Sequence, residues 1–220
     1  MIPVLFTTFN RLEYTKKTLP VLLKNTPDGR VIVVDNGSTD ETVDYLRSQN
    51  GNIELILKPN NTGISGAMNT FFEMTGDADH VAKVDNDTLV PPGWLTDLFR
   101  ILDLANLEIV QAAHYFFDRY YKDWDDLLER RPVKRFSRGN VVYPKNVGGS
   151  GIVFKRGITQ DPLPDEGLNA WTYFQHQNKQ YRRGMYDGVW VDLLDMAGFN
   201  QYADDVDNEY FVRTGRLQYA

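Results

Sequence analysis

Four short apolar runs rich in β-branched residues punctuate the first hundred residues: PVLFTTF (3–9), RVIVVD (30–35), IELILKP (53–59) and HVAKVD (80–85). Each has the length of a buried strand and is too short for a helix. Between them the period changes. Residues 11–25 carry Leu12, Leu19, Leu22 and Leu23, with Pro20 placed to kink or divide the segment. Residues 38–49 open on Ser38-Thr39-Asp40-Glu41, a capping-box pattern. Residues 62–75 set Ile64, Ala67, Met68, Phe71 and Phe72 on one helical face. Strand and helix alternating in short steps imply right-handed βαβ units, hence an α/β fold with a mostly parallel sheet. Ligands of such sheets bind beyond the carboxyl ends of the strands. That singles out residues 7–11, 35–38, 60–63 and 85–87.

The second half reads differently. A helix is expected over 93–105 and a strand over 108–116. Residues 118–147 are polar, aromatic and charged without clear period, and include the run ERRPVKRFSR (129–138). GGSGIVFKR (148–156) reads as a Gly-rich loop entering a strand, residues 164–181 as a loop entering a helix, and GVWVDLL (188–194) as a last strand. No repeat or linker divides the chain, so a single domain over 1–220 is the simplest organisation. A hydrophobic share of 42% and a charged share of 25% are those of a globular protein. The absence of cysteine excludes disulfides, thiolate nucleophiles and Cys-based zinc sites. A net charge of −6 argues against nucleic-acid binding. No apolar run reaches the ~20 residues of a membrane span, and no basic, apolar leader opens the sequence. The expectation is a soluble, cytoplasmic domain, free-standing or one module of a longer protein.

Asp85 and Asp87 close the fourth run. Residues two apart on a strand point the same way, so both carboxylates can face one ligand. Like charges this close call for a cation, and hard divalent ions such as Mg²⁺ or Mn²⁺ prefer oxygen donors shared with phosphates. Asp and Asn are also common turn formers at strand ends, which is the ordinary reading of the motif. Asp35 ends the second strand inside VVDNGSTDET (33–42). Turn and cap chemistry explain Gly37, Ser38 and Glu41 well and Asp35 poorly, whereas a carboxylate there could accept a nucleobase N–H or hold a ribose hydroxyl.

Taken in order, PVLFTTFNR, VIVVDNGSTDET, NNTGISGAMN, KVDNDT and GGSGIVFKR resemble family 2-type glycosyltransferases with the GT-A fold, strongly over about residues 2–100 and more loosely over 148–195. The resemblance implies a nucleotide-sugar-binding half over about 1–105 and an acceptor-binding half over about 106–220. It implies nucleobase contacts from Thr7 and Phe9, with Phe9 stacking on the ring, and a basic residue near the nucleotide at Arg11. Asp35 resembles the acceptor of the base N–H, and Asn61 and Gly63 lie where backbone approaches the nucleotide. Asp85 resembles the residue that touches ribose, metal or both, and Asp87 the direct metal ligand of a DXD motif. Asp192, ahead of Asp195, is the expected late metal ligand. The family's acceptor base is an Asp or Glu in an acidic pair, here Asp165 and Glu166. Gly167 and Leu168 break the usual EDxD run, which leaves inversion and retention both open.

The implied reaction moves a sugar from a nucleoside-diphosphate sugar, uridine-linked, to a hydroxyl of a glycan, lipid-linked or small-molecule acceptor, assisted by Mn²⁺ or Mg²⁺. Two rivals stand beside it: a non-catalytic nucleotide-sugar-binding module and a sugar-1-phosphate nucleotidylyltransferase. The second lacks its glycine-rich loop in TTFNRLEY (7–14). His80 and His114 read as structural, His176 as a polar helix residue rather than a ligand, and Trp171 and Tyr173 as core or rim aromatics or as sugar-stacking faces. The run Arg130, Arg131, Lys134, Arg135, Arg138 reads as a solvated surface or as a mobile loop that closes on donor or acceptor.

Overall fold

The computed structural model describes residues 1–49, 51–114, 123–159, 162–163, 175 and 178–194. Strands β1 (Ile2–Thr8), β2 (Gly29–Asp35), β3 (Glu54–Leu57) and β4 (His80–Asp85) fall on the four apolar runs. Helices α1 (Leu12–Asn25), α2 (Thr42–Ser48) and α3 (Gly63–Met74) connect them. β5 (Thr88–Leu89) and α4 (Trp94–Leu104) follow, then β6 (Ile109–Ala113), α5 (Trp124–Arg130), β7 (Val133–Phe136), β8 (Gly139–Val142), β9 (Ile152–Lys155), β10 (Arg183–Trp190) and β11 (Asp192–Leu193).

Nine strands form one sheet in the order β3-β2-β1-β4-β9-β6-β10-β8-β7. The β1–β2, β2–β3, β1–β4 and β6–β10 pairs are parallel. β9 runs antiparallel between β4 and β6, so those two strands share the direction of β1. The carboxyl ends of β1, β2, β4, β6 and β10 therefore share one edge. Strand alternation divides the core. Val4, Phe6, Val33 and Val84 pack with Leu19, Trp94 and Leu98 on one face. Leu5, Ile32, Val34 and Val81 pack with Met68, Phe71 and Phe154 on the other. Burial of apolar side chains on both faces is why these strands read as continuous apolar runs.

Three expectations are corrected. Pro20 neither divides nor ends α1. Leu19 and Leu22 are fully buried on either side of it and anchor both halves of the helix to the sheet. α2 starts at Thr42 rather than near Ser38, because Ser38 is drawn into the turn before it and the Asp40 carboxylate accepts the Thr42 N–H at 3.0 Å. The basic run is not a loop. Arg130 ends α5, bonded to Asp126 at 3.0 Å, and Lys134 and Arg135 lie on β7. β7 is an edge strand, where exposed charge discourages further strand pairing.

Candidate active site

The register of β1 against β4 sets Thr7 opposite Asp85. The Thr7 hydroxyl donates to Asp85 Oδ1 at 3.1 Å, and the Ser150 hydroxyl accepts the Asp85 N–H at 2.9 Å. A lysine, Lys83, holds the same carboxylate from below. It lies one pleat back on β4, is 2% exposed, and its ammonium donates to Asp85 Oδ1 and to the Gly149 carbonyl. Both donors meet Oδ1, so Oδ2 is the oxygen neither uses. Asp87 follows at the strand exit. The Thr88 hydroxyl donates to its Oδ1 at 3.2 Å and Arg11 Nη1 approaches its Oδ2 at 3.5 Å.

Asp35 is 1% exposed, and its own turn uses its oxygens. The N–H groups of Gly37 and Ser38 donate to Oδ1 at 3.2 and 2.9 Å, and the Ser38 hydroxyl donates to Oδ2 at 2.5 Å. Turn chemistry thus explains this carboxylate better than the sequence alone suggests. Gly37 takes φ +83°, and a Cβ there would lie 2.7 Å from the Asn60 backbone. The two strand exits are packed backbone to backbone. The neighbouring Asn36 stitches them. Its Nδ2 donates to Asn61 Oδ1 and to the Gly63 carbonyl, and its Oδ1 accepts the Thr62 N–H. Asn61 Oδ1 also accepts the Gly63 N–H, where φ is +68°. Phe9, 39% exposed, stands just past β1.

The structure therefore brings Thr7, Arg11, Asp85 and Asp87 into one connected network, with Phe9, Asp35, Asn61 and Gly63 on the same edge. Sequence reasoning missed Lys83, Asn36 and Ser150. The one signal was a lysine inside the apolar run HVAKVD. Asp165 and Glu166, with Trp171, Tyr173, His176 and Asp195, lie outside the described residues. The cleft lined by Ile2, Asp28, His80 and Phe99 opens at the opposite, amino-terminal ends of β1 and β4.

Asp192 reaches this edge differently. β11 pairs with β5, setting Asp192 opposite Leu89 and Leu193 opposite Thr88, and the Leu194 N–H donates to the Asp87 carbonyl at 2.7 Å. Asp192 is 6% exposed, and burial pushes its carboxyl up to about 6. Among the described residues no three His, Cys, Asp or Glu side chains converge on a metal-sized site. Asp85, Asp87 and Asp192 do not make up such a cluster. Asp85 and Asp87 alone still suit a hard divalent ion, since such ions are commonly held by one or two carboxylates together with substrate phosphates.

The raised Asp192 carboxyl has a pH consequence. In the unfolded chain an Asp titrates near 3.9, so the folded state holds this proton more tightly. Stability from this group is complete below about pH 4, falls as pH rises towards 6, and above that the buried charge costs on the order of 2–3 kcal/mol. Asp192→Asn is expected to raise the melting temperature at about pH 8 and leave it unchanged at about pH 4. Equal melting of both proteins at the higher pH is the contrary result.

The sequence model of Glycosyl transferase family 2 matches residues 4–160. The chain belongs to this family. The match spans the network from Thr7 to Ser150. A comparison with curated proteins finds no match by sequence. Among solved structures, S. aureus TarS 1-349 in complex with UDP-GlcNAc aligns with TM-score 0.62 at 16% identity, over 87% of this chain and 58% of that one. Mannosyltransferase PcManGT from Pyrobaculum calidifontis, in complex with GDP-Man and Mn²⁺, aligns with TM-score 0.67 at 18% identity, over 88% and 56%. GalNAc-T7 with UDP, GalNAc and Mn²⁺ gives 0.68 at 11% identity, over 88% and 43%. The fold of this family 2 glycosyltransferase chain is GT-A. It spans less than two thirds of the length of each of these structures. No helix among its described residues is long and apolar enough to cross a membrane.

Proposed function

We propose that the chain transfers a sugar from a nucleoside-diphosphate sugar, uridine-linked, to an acceptor hydroxyl on a glycan, lipid-linked or small-molecule substrate. The observation that carries this reading is the Asp85–Asp87 pair at the exit of β4, oriented by Thr7, Lys83 and Arg11 in a chain of family 2. TarS with UDP-GlcNAc and PcManGT with GDP-Man and Mn²⁺ support it by analogy.

In this reading the exposed ring of Phe9 covers the base, and the Asp35 turn with the Asn61–Gly63 loop shapes the floor beside it. The family's contact from Asp35 to a base N–H would have to share a carboxylate that its own turn already uses. Asp87 and Asp85 Oδ2 would hold a divalent ion, Mn²⁺ or Mg²⁺, brought with the diphosphate. When bound, such an ion neutralises the charge that develops on the leaving diphosphate. Lys83 fixes the rotamer of Asp85, and Thr7 sets its direction. Asp165 or Glu166 takes the proton of the attacking hydroxyl, an assignment that rests on sequence order.

The test is calorimetry of UDP and GDP with and without Mn²⁺, followed by turnover of a panel of nucleotide sugars. Metal-enhanced binding of one nucleotide with turnover of its sugar is expected. Binding without turnover of any donor, across a broad range of acceptors, would leave a nucleotide-sugar-binding module in place of the enzyme. No nucleotide binding would remove both.

A further inference from the structure

Asp85 and Asp87 each face a cation of the protein itself, and the two cations differ in kind. Lys83 is buried at 2% exposure and tied both to Asp85 and to the Gly149 carbonyl at 2.7 Å. Withdrawing it would strand a charge in the core, so it is a fixed part of the fold. The Arg11 side chain is 35% exposed and its ion pair with Asp87 is long, at 3.5 Å. An ion pair of that kind is weak and is readily exchanged. Its guanidinium also lies over the Tyr14 ring, 4.5 Å from the centroid, which provides a second resting contact.

The backbone aims Arg11 at this spot. Asn10 and Arg11 take φ values of +54° and +65°, two successive non-glycine residues in the left-handed region. Such residues persist only where the surroundings hold them, and they cluster at functional sites. Here the hold is explicit. The Asn10 N–H donates to the Ser38 hydroxyl at 2.7 Å, and Asn10 Oδ1 accepts the Thr39 N–H at 2.8 Å. The turn that consumes Asp35 thereby clamps the exit of β1 and points Arg11 across to Asp87.

We propose that Arg11 is a displaceable counter-ion of the Asp85–Asp87 pair. Without nucleotide, Arg11 takes the place of a metal at Asp87. When a nucleoside diphosphate enters, the guanidinium moves from Asp87 to the phosphate oxygens and frees the carboxylate for the divalent ion. The inference rests on the nucleotide-sugar reading above. Its physical basis is charge. Lys83 and Arg11 each set a positive charge against one carboxylate of the pair, which weakens the pull of the pair on a divalent ion alone. A diphosphate restores the negative charge and offers Arg11 planar, bidentate acceptors. Metal and nucleotide then bind with positive coupling, reciprocal by thermodynamic necessity.

The probe is Mn²⁺ alone, titrated without nucleotide and followed by the paramagnetic resonance of the free ion. The wild type is expected to bind it weakly. Arg11→Gln is expected to bind it about five- to tenfold more tightly, the range of a modest coupling, and Arg11→Lys to stay near the wild type. The gain should vanish in the double variant Arg11→Gln with Asp87→Asn. Unchanged or weaker Mn²⁺ binding by Arg11→Gln overturns the proposal. So does a gain that survives in the double variant, because the freed site would not be Asp87. A thermal melt of each variant confirms folding. Failure of the wild type to bind UDP or GDP would count against the nucleotide-sugar reading instead, and the Mn²⁺ titration still decides the counter-ion role.

Discussion

Asp87→Asn is expected to slow the proposed sugar transfer by about 10²–10³-fold, the scale lost when one preorganised electrostatic contact is removed from a site, with little change in stability. Asn keeps the size of the side chain and can still accept from the Thr88 hydroxyl. The backbone of residue 87 would go on accepting the Leu194 N–H, so the β5–β11 pair stays in place. What is lost is the charge that faces Arg11 and, in the proposed reaction, the divalent ion on the diphosphate. Asp85→Asn is the less clean variant, since it leaves the ammonium of Lys83 buried beside a neutral amide. Initial rates at saturating donor and Mn²⁺, paired with melting curves, provide the check. Turnover within threefold of the wild type at an unchanged melting temperature would remove Asp87 from the metal-assisted scheme.

The parts of this molecule that follow from local periodicity were legible in its sequence. β1, β2 and β4 stand on the apolar runs because burial on both faces leaves no polar alternation to confuse the reading. The position of Asp85 and Asp87 at a shared sheet edge follows from the same runs and from the handedness of βαβ units. What was not legible depends on partners far away in the chain. Lys83 reads as an anomaly in HVAKVD until Gly149, 66 residues on, provides its second acceptor. Asp35 looked surplus to its turn because spacing alone does not reveal that the Ser38 hydroxyl points back at it.

β10 begins at Arg183, five residues before the expected strand. The interruptions at Gly184, Asp187 and Gly188 hide it. Gly184 is required there by packing, since a Cβ would lie 2.6 Å from Val141 Cγ1 on β8. The hairpin of β7 and β8 carries Lys134 and Arg135 on an exposed edge and so shows no apolar alternation at all. Tertiary position, rather than propensity, makes these residues strands.

Trp94→Ala is expected to cost about 3–5 kcal/mol, the range for truncating a large buried aromatic, and to lower the melting temperature by roughly 6–20 °C in a chain of this size. Trp94 is fully buried in the first turn of α4 and packs in the cluster that holds Phe6, Val84 and Leu98. Its indole N–H donates to the buried Thr26 hydroxyl at 2.9 Å, so the variant leaves both a cavity and a hydroxyl that has lost a donor. Trp94→Phe separates the two effects. It keeps most of the volume and forfeits the hydrogen bond, whose loss is worth about 1 kcal/mol, together with the smaller ring. The residue lies away from the site. α4 follows the β5 segment after Pro91, Pro92 and a left-handed Gly93 at φ +76°, and the bond from Trp94 to Thr26 sits just before β2, at the amino-terminal end of the sheet. Loosening it should weaken the fold before it alters Asp87, which is held independently by β11. The expected pattern is therefore a large drop in denaturant midpoint with near-normal turnover at low temperature. A melting temperature within about 3 °C of the wild type would show that the cavity collapses and that Trp94 is not a main support of the core around α4.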